Sequence, residues 1–346
     1  MRPRDPVERV AERSRDLYDV ATWEPRSVLD RVAVALHRGL VAGTRAFVVF
    51  LAVAVLVGQL ALVWVAATET PLLGGYILLS VLPALALAWY IWSLDVTRRE
   101  PLRELVVTFA LGFLFAGFAA VVNSVFAGAF GGVGVATGVP NVLLLVGFFV
   151  LVVGPVEETV KWAAVRLYAY RSDAFGAVVD GAVYGAVAGL GFATIENSLY
   201  ITQQYLSAGV TAPLAATFKT TTFRMLAGPG HVFYSAIAGY YLGLAKFNGR
   251  YRGPIVVKGL LVASLVHAVY NTSVTLLPAA TGAIPALADL PYGVVFLGFV
   301  VVFDGVVGYA LYRKLSRYRR LYEETGAGAA ADEVDGDAGV GRTEFE

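Results

Sequence analysis

The chain has 346 residues, of which 58% are hydrophobic and only 15% are charged, and its formal net charge at pH 7 is +1. A mean hydropathy of +0.67 excludes an ordinary soluble domain. The balanced charge indicates no partner by itself, and no nucleic acid is expected. The sequence has no cysteine, which excludes disulfides, cysteine-ligated metals and a thiol nucleophile. We therefore predict a polytopic membrane protein.

The first 44 residues form a charged arm in which we expect no signal peptide. The stretch SVLDRVAVALHRGLV places apolar residues at helical spacing, opposite Arg31 and Arg38. This pattern predicts that residues 1–44 include an amphipathic helix lying on the membrane surface. Its apolar face comprises Val28, Leu29, Val32, Leu36 and Leu40.

Apolar stretches of about 20 residues, the length that spans a bilayer, recur along the next part of the chain. They predict an all-α transmembrane helix bundle over residues 45–315, in the cell membrane. The eight predicted helices lie near residues 46–67, 72–94, 105–127, 142–165, 176–201, 224–246, 255–277 and 292–312.

Lysine and arginine concentrate in the arm, in alternate loops and after the last predicted helix. By the positive-inside rule, this asymmetry places both termini in the cytoplasm. Residues 316–346, with the run GAGAAADEVDGDAGVG, hold many acids and little to bury, so we predict a disordered cytoplasmic tail.

Three charges in the fourth predicted helix raise the question of function. The stretch GPVEETVKW places Glu157, Glu158 and Lys161 directly after an apolar run. A charge near the bilayer centre costs at least about 2.5 kcal/mol, so such residues usually carry function. Lys161 is three or four residues from each glutamate and can neutralise either. A purely structural ion pair between packed helices is the alternative.

The next three predicted helices carry further polar residues at helical spacing. The fifth reads DGAVYGAVAGLGFATIEN from Asp180, with a small-residue ridge at Gly181, Gly185 and Gly189 that lets another helix approach closely. The outer half of this helix and the following two helices carry Phe192, Glu196, Asn197, His231, Ser235, His267 and Asn271. Asp304 stands alone in the eighth helix and is left outside the site.

These residue types fit peptide-bond hydrolysis, which needs a base for water, a donor for the oxyanion and an acid for the leaving amine. In one mechanism two histidines and a glutamate bind zinc. In the other, Glu157 activates water directly while His267 and Asn271 stabilise the oxyanion. The sequence has no His-Glu-x-x-His motif, so spacing leaves both open. A proton- or ion-coupled transporter and a non-catalytic scaffold are alternative functions.

The motif set resembles the PrsW-type intramembrane proteases, a branch of the superfamily of the type II CAAX prenyl proteases. The superfamily's motifs are Glu-Glu-x-x-(x)-Lys/Arg, Phe-x-x-x-Glu/His, His-x-x-x-Ser and His-x-x-x-Asn/Asp, and the resemblance covers about residues 72–312. Glu196 stands where the CAAX enzymes have histidine, so prenylated substrates are not expected. The motifs are matched by Glu157, Glu158 and Lys161, by Phe192 and Glu196, by His231 and Ser235, and by His267 and Asn271.

The resemblance implies an intramembrane endopeptidase that cleaves membrane-anchored proteins, including regulators of the anti-sigma-factor kind. The implied metal set is His231, His267 and Glu196 around one Zn²⁺, with a metal-free mechanism as the alternative. The implied catalytic residues are Glu157, Glu158, Glu196, His231, His267 and Asn271. Supporting roles fall to Lys161, Asp180, Phe192, Asn197 and Ser235, with a helix-start role for Asp180 as the alternative.

One shared site requires a shift of the predicted helices. With the boundaries above, Glu157 lies about 20 to 24 Å from the outer end of its helix, whereas Glu196 lies near the outer end of the next one. We expect the fourth helix to extend to Tyr170 and the fifth to continue past Tyr200. Carboxyl groups more than about 15 Å apart would exclude a shared site.

Overall fold

The computed structural model describes residues 25–97, 100–137, 140–208 and 213–324. Over these residues the chain is helical and without β-strands, which confirms the predicted all-α class. The described residues divide into two units, with the boundary between Ala54 and Val55. The helices are α1 (Val28–Glu69), α2 (Pro71–Ser93), α3 (Leu102–Thr137), α4 (Asn141–Phe148), α5 (Gly154–Leu167), α6 (Val178–Ser207), α7 (Pro213–Lys246), α8 (Arg252–Ala283), α9 (Pro285–Ala288) and α10 (Tyr292–Glu324).

The predicted surface helix and the predicted first membrane helix belong to one helix, α1, of 42 residues. No proline interrupts this stretch, so nothing in the sequence ends the helix between them. The apolar face is exposed at Val28, Val32, Leu36 and Leu40, and the side chain of Leu29 lies outside the described part of the chain. Its placement on the membrane surface stays a prediction.

Among the described residues, six helical segments are long and apolar enough to cross a membrane, which makes the chain a multi-pass membrane protein. The predicted count of eight is not confirmed. The apolar part of α1, Val49–Val65, is short for a span, and α7 is diluted by polar and charged residues such as Lys219 and Arg224. The orientation of the termini stays a prediction. Of the predicted disordered tail, residues 316–324 are helical and belong to α10, and the rest lies outside the described residues.

The predicted small-residue ridge forms the contact between α6 and α7. A Cβ added at Gly181, Gly185 or Gly189 would overlap backbone carbonyl oxygens of α7. At Gly189 and Gly185 those oxygens belong to His231 and Ser235. Direct backbone contact of this kind needs glycine, because any side chain would separate the helices. The ridge therefore sets the distance between the polar residues of α6 and those of α7.

A π-helical turn, Phe149–Val153, joins α4 to α5 without a loop. Pro155 follows in the first turn of α5. Proline has no N–H to donate and its ring crowds the preceding turn, which favours a local widening of the helix. Turns of this type are frequent at functional sites. The widened turn comes directly before Glu157.

We predict that Gly185→Ala lowers the free energy of unfolding by about 1 to 3 kcal/mol, because the new Cβ overlaps the carbonyl oxygen of Ser235. Thermal unfolding of the purified protein in detergent measures the change. Gly305→Ala is the matched control, since a Cβ at Gly305 in α10 meets no atom within 4 Å. Equal unfolding midpoints for the two variants would contradict the close helix contact.

Candidate active site

Five of the predicted catalytic residues line one cavity of about 280 Å³. α5 contributes Glu157 and α6 contributes Glu196, while α7 and α8 contribute the histidines. The polar part of the wall is completed by side chains that the sequence reading did not select. The predicted residues are Glu157, Glu196, His231, His267 and Asn271, and the additional ones are Asn123, Tyr200, Arg224, Tyr234 and Tyr270.

The two glutamates whose depths seemed incompatible share this cavity. Glu196 Oε2 lies 2.8 Å from His231 Nε2, and an oxygen of Glu157 lies within 4.8 Å of a ring nitrogen of His231. Their carboxyl groups are therefore far closer than the limit of about 15 Å for one site. α6 continues past Tyr200 to Ser207 as expected. α5 ends at Leu167, and the expected extension to Tyr170 is a separate 3₁₀ turn.

Glu157, His231 and His267 form a group whose possible ligand atoms all lie within 4.8 Å of one another. All three residues are buried. Asn123 Nδ2 donates to Glu157 Oε1 at 3.0 Å, whereas Glu157 Oε2 has no hydrogen-bond partner among the described residues. That oxygen lies 3.8 Å from His267 Nε2. An unsatisfied buried carboxylate oxygen beside two imidazoles is a donor set that fits a metal ion.

This group differs from the metal set inferred from the sequence, in which Glu196 was the carboxylate. Glu196 is instead paired with the guanidinium of Arg224, besides its contact with His231. Because Arg224 compensates its charge, Glu196 needs no metal to be stable in the bundle. The structure thus groups Glu157 with the two histidines, whereas the ligand set with Glu196 that the resemblance implies stays a prediction.

Arg224 is held in position by Asn197, one of the predicted supporting residues. Arg224 Nε donates to Asn197 Oδ1 at 2.8 Å, and Asn197 Nδ2 donates to the carbonyl oxygens of Ser80 and Arg224 at 3.1 and 3.3 Å. The sequence analysis did not select Arg224. Its position seven residues before His231, two turns along one helix, is the signal that places it on the same face.

Glu158 and Lys161 form a second layer behind the histidines. Lys161 Nζ donates to Glu158 Oε1 at 2.6 Å, and neither side chain is exposed. The same oxygen lies 2.9 Å from His267 Nδ1, while Ser235 Oγ donates to Glu158 Oε2 at 3.5 Å. Glu158 does not line the cavity. It orients His267 and leaves Nε2 of that ring facing Glu157.

Lys161 and Phe192 position the other histidine. Lys161 Nζ lies 3.2 Å from His231 Nδ1 and 4.4 Å above the centre of the Phe192 ring. The Phe192 ring packs against His231 with 5.3 Å between ring centroids. With Nδ1 facing the ammonium group, the other ring nitrogen of His231 points to Glu196.

Asp180, the remaining supporting residue, lies elsewhere. It stands in the first turn of α6, 16 residues before Glu196 and thus about 24 Å away along the helix. Its Oδ2 accepts hydrogen bonds from the backbone N–H groups of Gly176 and Ala177 at 2.7 and 2.9 Å. Asp180 therefore lies at the start of α6 and outside the cavity lining, the position that the helix-start alternative describes. Asp304 is also absent from the cavity lining, as expected.

Two tyrosines were missed by the sequence reading because apolar helices commonly contain such residues. Tyr234 and Tyr270 are 1% and 6% exposed, and both line the cavity. Neither hydroxyl has a hydrogen-bond partner among the described residues. Tyr234 also stacks on His267 with 5.1 Å between centroids. The site therefore holds two buried hydroxyl donors.

Comparison with known proteins gives the family. The model of the PrsW family of intramembrane metalloproteases matches residues 100–306. The chain belongs to this family. The matched segment contains every predicted catalytic residue, and it lies within the range of about 72–312 expected from the motifs. Family membership does not favour the transporter alternative.

Curated relatives named Protease PrsW support the assignment. The protein of Geobacillus kaustophilus is 31% identical over 191 residues, which cover 55% of this chain and 76% of that protein. That of Halalkalibacterium halodurans is 29% identical over 194 residues, covering 56% and 80%. The Bacillus subtilis protein is 29% identical over 204 residues, covering 57% and 81%. No solved structure matches the chain significantly.

Replacing Lys161 by methionine tests the second layer. Lys161→Met leaves the Glu158 carboxylate buried without its cation, so we expect a loss of about 3 to 5 kcal/mol in the free energy of unfolding. Denaturant unfolding in detergent measures this loss. Arg319→Met removes one partner of the exposed pair Arg319–Glu323 and should cost no more than about 1 kcal/mol. Similar small losses in both variants would show that Glu158 is not ionised.

Proposed function

We propose that the chain cleaves membrane-anchored proteins in or beside the bilayer, using Glu157, His231 and His267 as the catalytic centre. The convergence of these three buried side chains on one cavity, with an unsatisfied oxygen on Glu157, carries the proposal. A buried polar group without a partner is costly, and in an enzyme of a metalloprotease family it points to a ligand or a reacting water. Anti-sigma-factor-like regulators stay the substrate class that the resemblance implies.

The three residues are proposed to hold one Zn²⁺. Two imidazole nitrogens and one carboxylate oxygen form a ligand set typical of catalytic zinc sites that keep one position open. When bound there, zinc would polarise the scissile carbonyl and make water more acidic. Glu158 would orient His267 from behind, as carboxylates commonly do for metal-binding histidines.

Glu196 is proposed as the proton acceptor. Its Oε2 lies 2.8 Å from His231 Nε2 and faces the same cavity. Binding of a metal by His231 Nε2 would replace that contact and leave a lone pair of Glu196 for a proton from water. The neighbouring Arg224 guanidinium holds the Glu196 carboxylate in place. The carboxylate would accept a proton from water and then donate it to the leaving amine.

The oxyanion is proposed to be held by the neutral donors of the cavity. Asn271 carries an amide, and the hydroxyls of Tyr234 and Tyr270 are buried without partners. Donors that have no other partner need not break a contact when charge develops on the substrate oxygen. In the metal-free alternative, the same donors serve while Glu157, beside His267 Nε2, takes the proton from water.

Cleavage by variants tests the assignment. Glu157→Gln, His231→Ala and His267→Ala should each lower kcat/KM by at least about 10²-fold, because each removes a group that acts on the reacting atoms. The assay is cleavage of a tagged single-span protein in reconstituted vesicles. Asp304→Asn, which changes a carboxyl outside the cavity, should retain activity. Near-normal cleavage by Glu157→Gln would end the role of that residue and make Glu158 the candidate.

Metal analysis tests the ligand set. Purified protein should hold about one equivalent of zinc, chelation should stop cleavage, and added zinc should restore it. Glu157→Gln and both histidine variants should lose the metal, whereas Glu196→Gln should keep it and still be inactive. Loss of metal from Glu196→Gln with retention by Glu157→Gln would restore the ligand set inferred from the sequence. Full cleavage after exhaustive chelation, with far less than one equivalent of metal, would establish the metal-free mechanism.

A further inference from the structure

A second polar cluster lies where the loop after α2 meets the start of α6. Asp95, Glu100 and Asp180 each offer a carboxylate oxygen, and these oxygens lie within 4.8 Å of one another. Glu100 is 5% exposed and Asp180 is 2% exposed, while Asp95 is half-buried at the protein surface. The cluster is separate from the catalytic cavity, whose lining includes none of these residues.

Each of the three carboxylates accepts a hydrogen bond from a neighbouring donor. Asp95 Oδ1 accepts from the N–H and the hydroxyl of Thr97, both at 2.7 Å. Thr97 Oγ1 also lies 3.1 Å from Asp180 Oδ1. Trp92 Nε1 donates to Glu100 Oε2 at 2.9 Å. These contacts orient three acids toward one another, which is unfavourable unless something positive lies between them.

Two of the carboxylate oxygens face that shared space without a partner. Asp95 Oδ2 and Glu100 Oε1 are buried and have no hydrogen-bond partner in the described part of the chain. No ion pair joins any of the three acids to a described lysine or arginine, and Arg98 and Arg99 lie outside the described residues. Lys246 Nζ, which is close to Asp180, donates instead to the carbonyl oxygens of Tyr170 and Phe175.

A further buried polar group lies beside the cluster. Tyr184 stands one turn beyond Asp180 on α6 and is 0% exposed, yet its hydroxyl has no hydrogen-bond partner among the described residues. The acids of the cluster are close enough for their charges to act on this hydroxyl. An unsatisfied buried hydroxyl beside unsatisfied carboxylate oxygens leaves polar groups that a ligand can complete.

We propose that Asp95, Glu100 and Asp180 bind a hard divalent cation of the Mg²⁺ or Ca²⁺ type. The cluster offers oxygen ligands alone, which these cations prefer, and has no imidazole of the kind found in the catalytic cavity. Half-buried Asp95 gives the ion access from solvent. Bound there, the cation would hold Asp95 and Glu100 against the first turn of α6, the helix that carries Glu196, 16 residues beyond Asp180.

A proton is the competing occupant. Burial raises the pKa of Glu100 to about 9, and a hydrogen bond from the protonated carboxyl to Asp95, together with the charge of Asp95, adds to this effect. Without a cation, Glu100 therefore holds a proton at neutral pH, which relieves part of the repulsion. Cation binding would have to displace that proton, so the two occupants give different responses to added metal.

Binding of Mn²⁺, a paramagnetic substitute for Mg²⁺ and Ca²⁺, tests the site in the full-length protein in detergent after removal of metals. Glu100→Gln keeps the size of the side chain and removes its charge. By electron paramagnetic resonance, the wild-type protein should bind one more Mn²⁺ than this variant, or bind it at least about tenfold more tightly. Any Mn²⁺ in the catalytic cavity is common to both proteins. Asp304→Asn, a buried carboxyl on another helix, should bind as the wild type does.

Thermal unfolding gives a second measurement with a different readout. Added Mg²⁺ or Ca²⁺ should raise the unfolding midpoint of the wild type and of Asp304→Asn, and should leave Glu100→Gln unchanged. Should Glu100→Gln fail to fold, Asp95→Asn at the half-buried position replaces it in both assays. Equal Mn²⁺ binding by wild type and variant, with a wild-type midpoint that responds to pH and not to cations, would overturn the proposal in favour of the proton.

Discussion

The buried contact between Lys161 and Glu158 is the interaction on which the rest of the site depends. Removing two charges from water costs several kcal/mol for each, and only good geometry with further hydrogen bonds offsets this cost. Here the further contacts are made by the two histidines proposed to be catalytic, because Glu158 contacts His267 and Lys161 contacts His231. One ion pair within α5 thus orients imidazole rings on two other helices. Stability and catalytic geometry have the same origin in this bundle.

The second ion pair depends on backbone contact between helices. Glu196 on α6 reaches both Arg224 and His231 on α7, and these contacts require the two helices to touch along their glycine ridge. In an apolar bundle these polar side chains have few other hydrogen-bond partners. A small separation of the helices would therefore leave several of them without a hydrogen bond. Packing by small residues therefore serves the electrostatics of the site as well as the fold.

The sequence predicted what depends on spacing within one helix. The Glu158–Lys161 pair, the small-residue ridge and the shared faces of His231 with Ser235 follow from helical periodicity. Contacts between helices depend on their relative height and rotation, which a single sequence does not encode locally. For this reason Arg224, Asn123 and the two tyrosines were missed, and the sequence did not indicate that Glu157 lies in one group with both histidines. The predicted count of eight membrane helices is not confirmed, because the apolar part of α1 is short and α7 carries the polar side chains of the site.

The π-helical turn before Glu157 makes the side chains of this segment sensitive to a change in its length. Phe149 and Val153, at its two ends, belong to the wall of the catalytic cavity. Deleting one residue there would convert the turn to regular α-helix and keep the helix continuous, yet it would rotate α4 by about 100° relative to Glu157. Phe148 and Phe149 would turn away from the cavity while the glutamate stayed in place. A single-residue insertion or deletion, which loops accept readily, is therefore expected to disrupt the cavity wall in this segment even though the helix stays continuous.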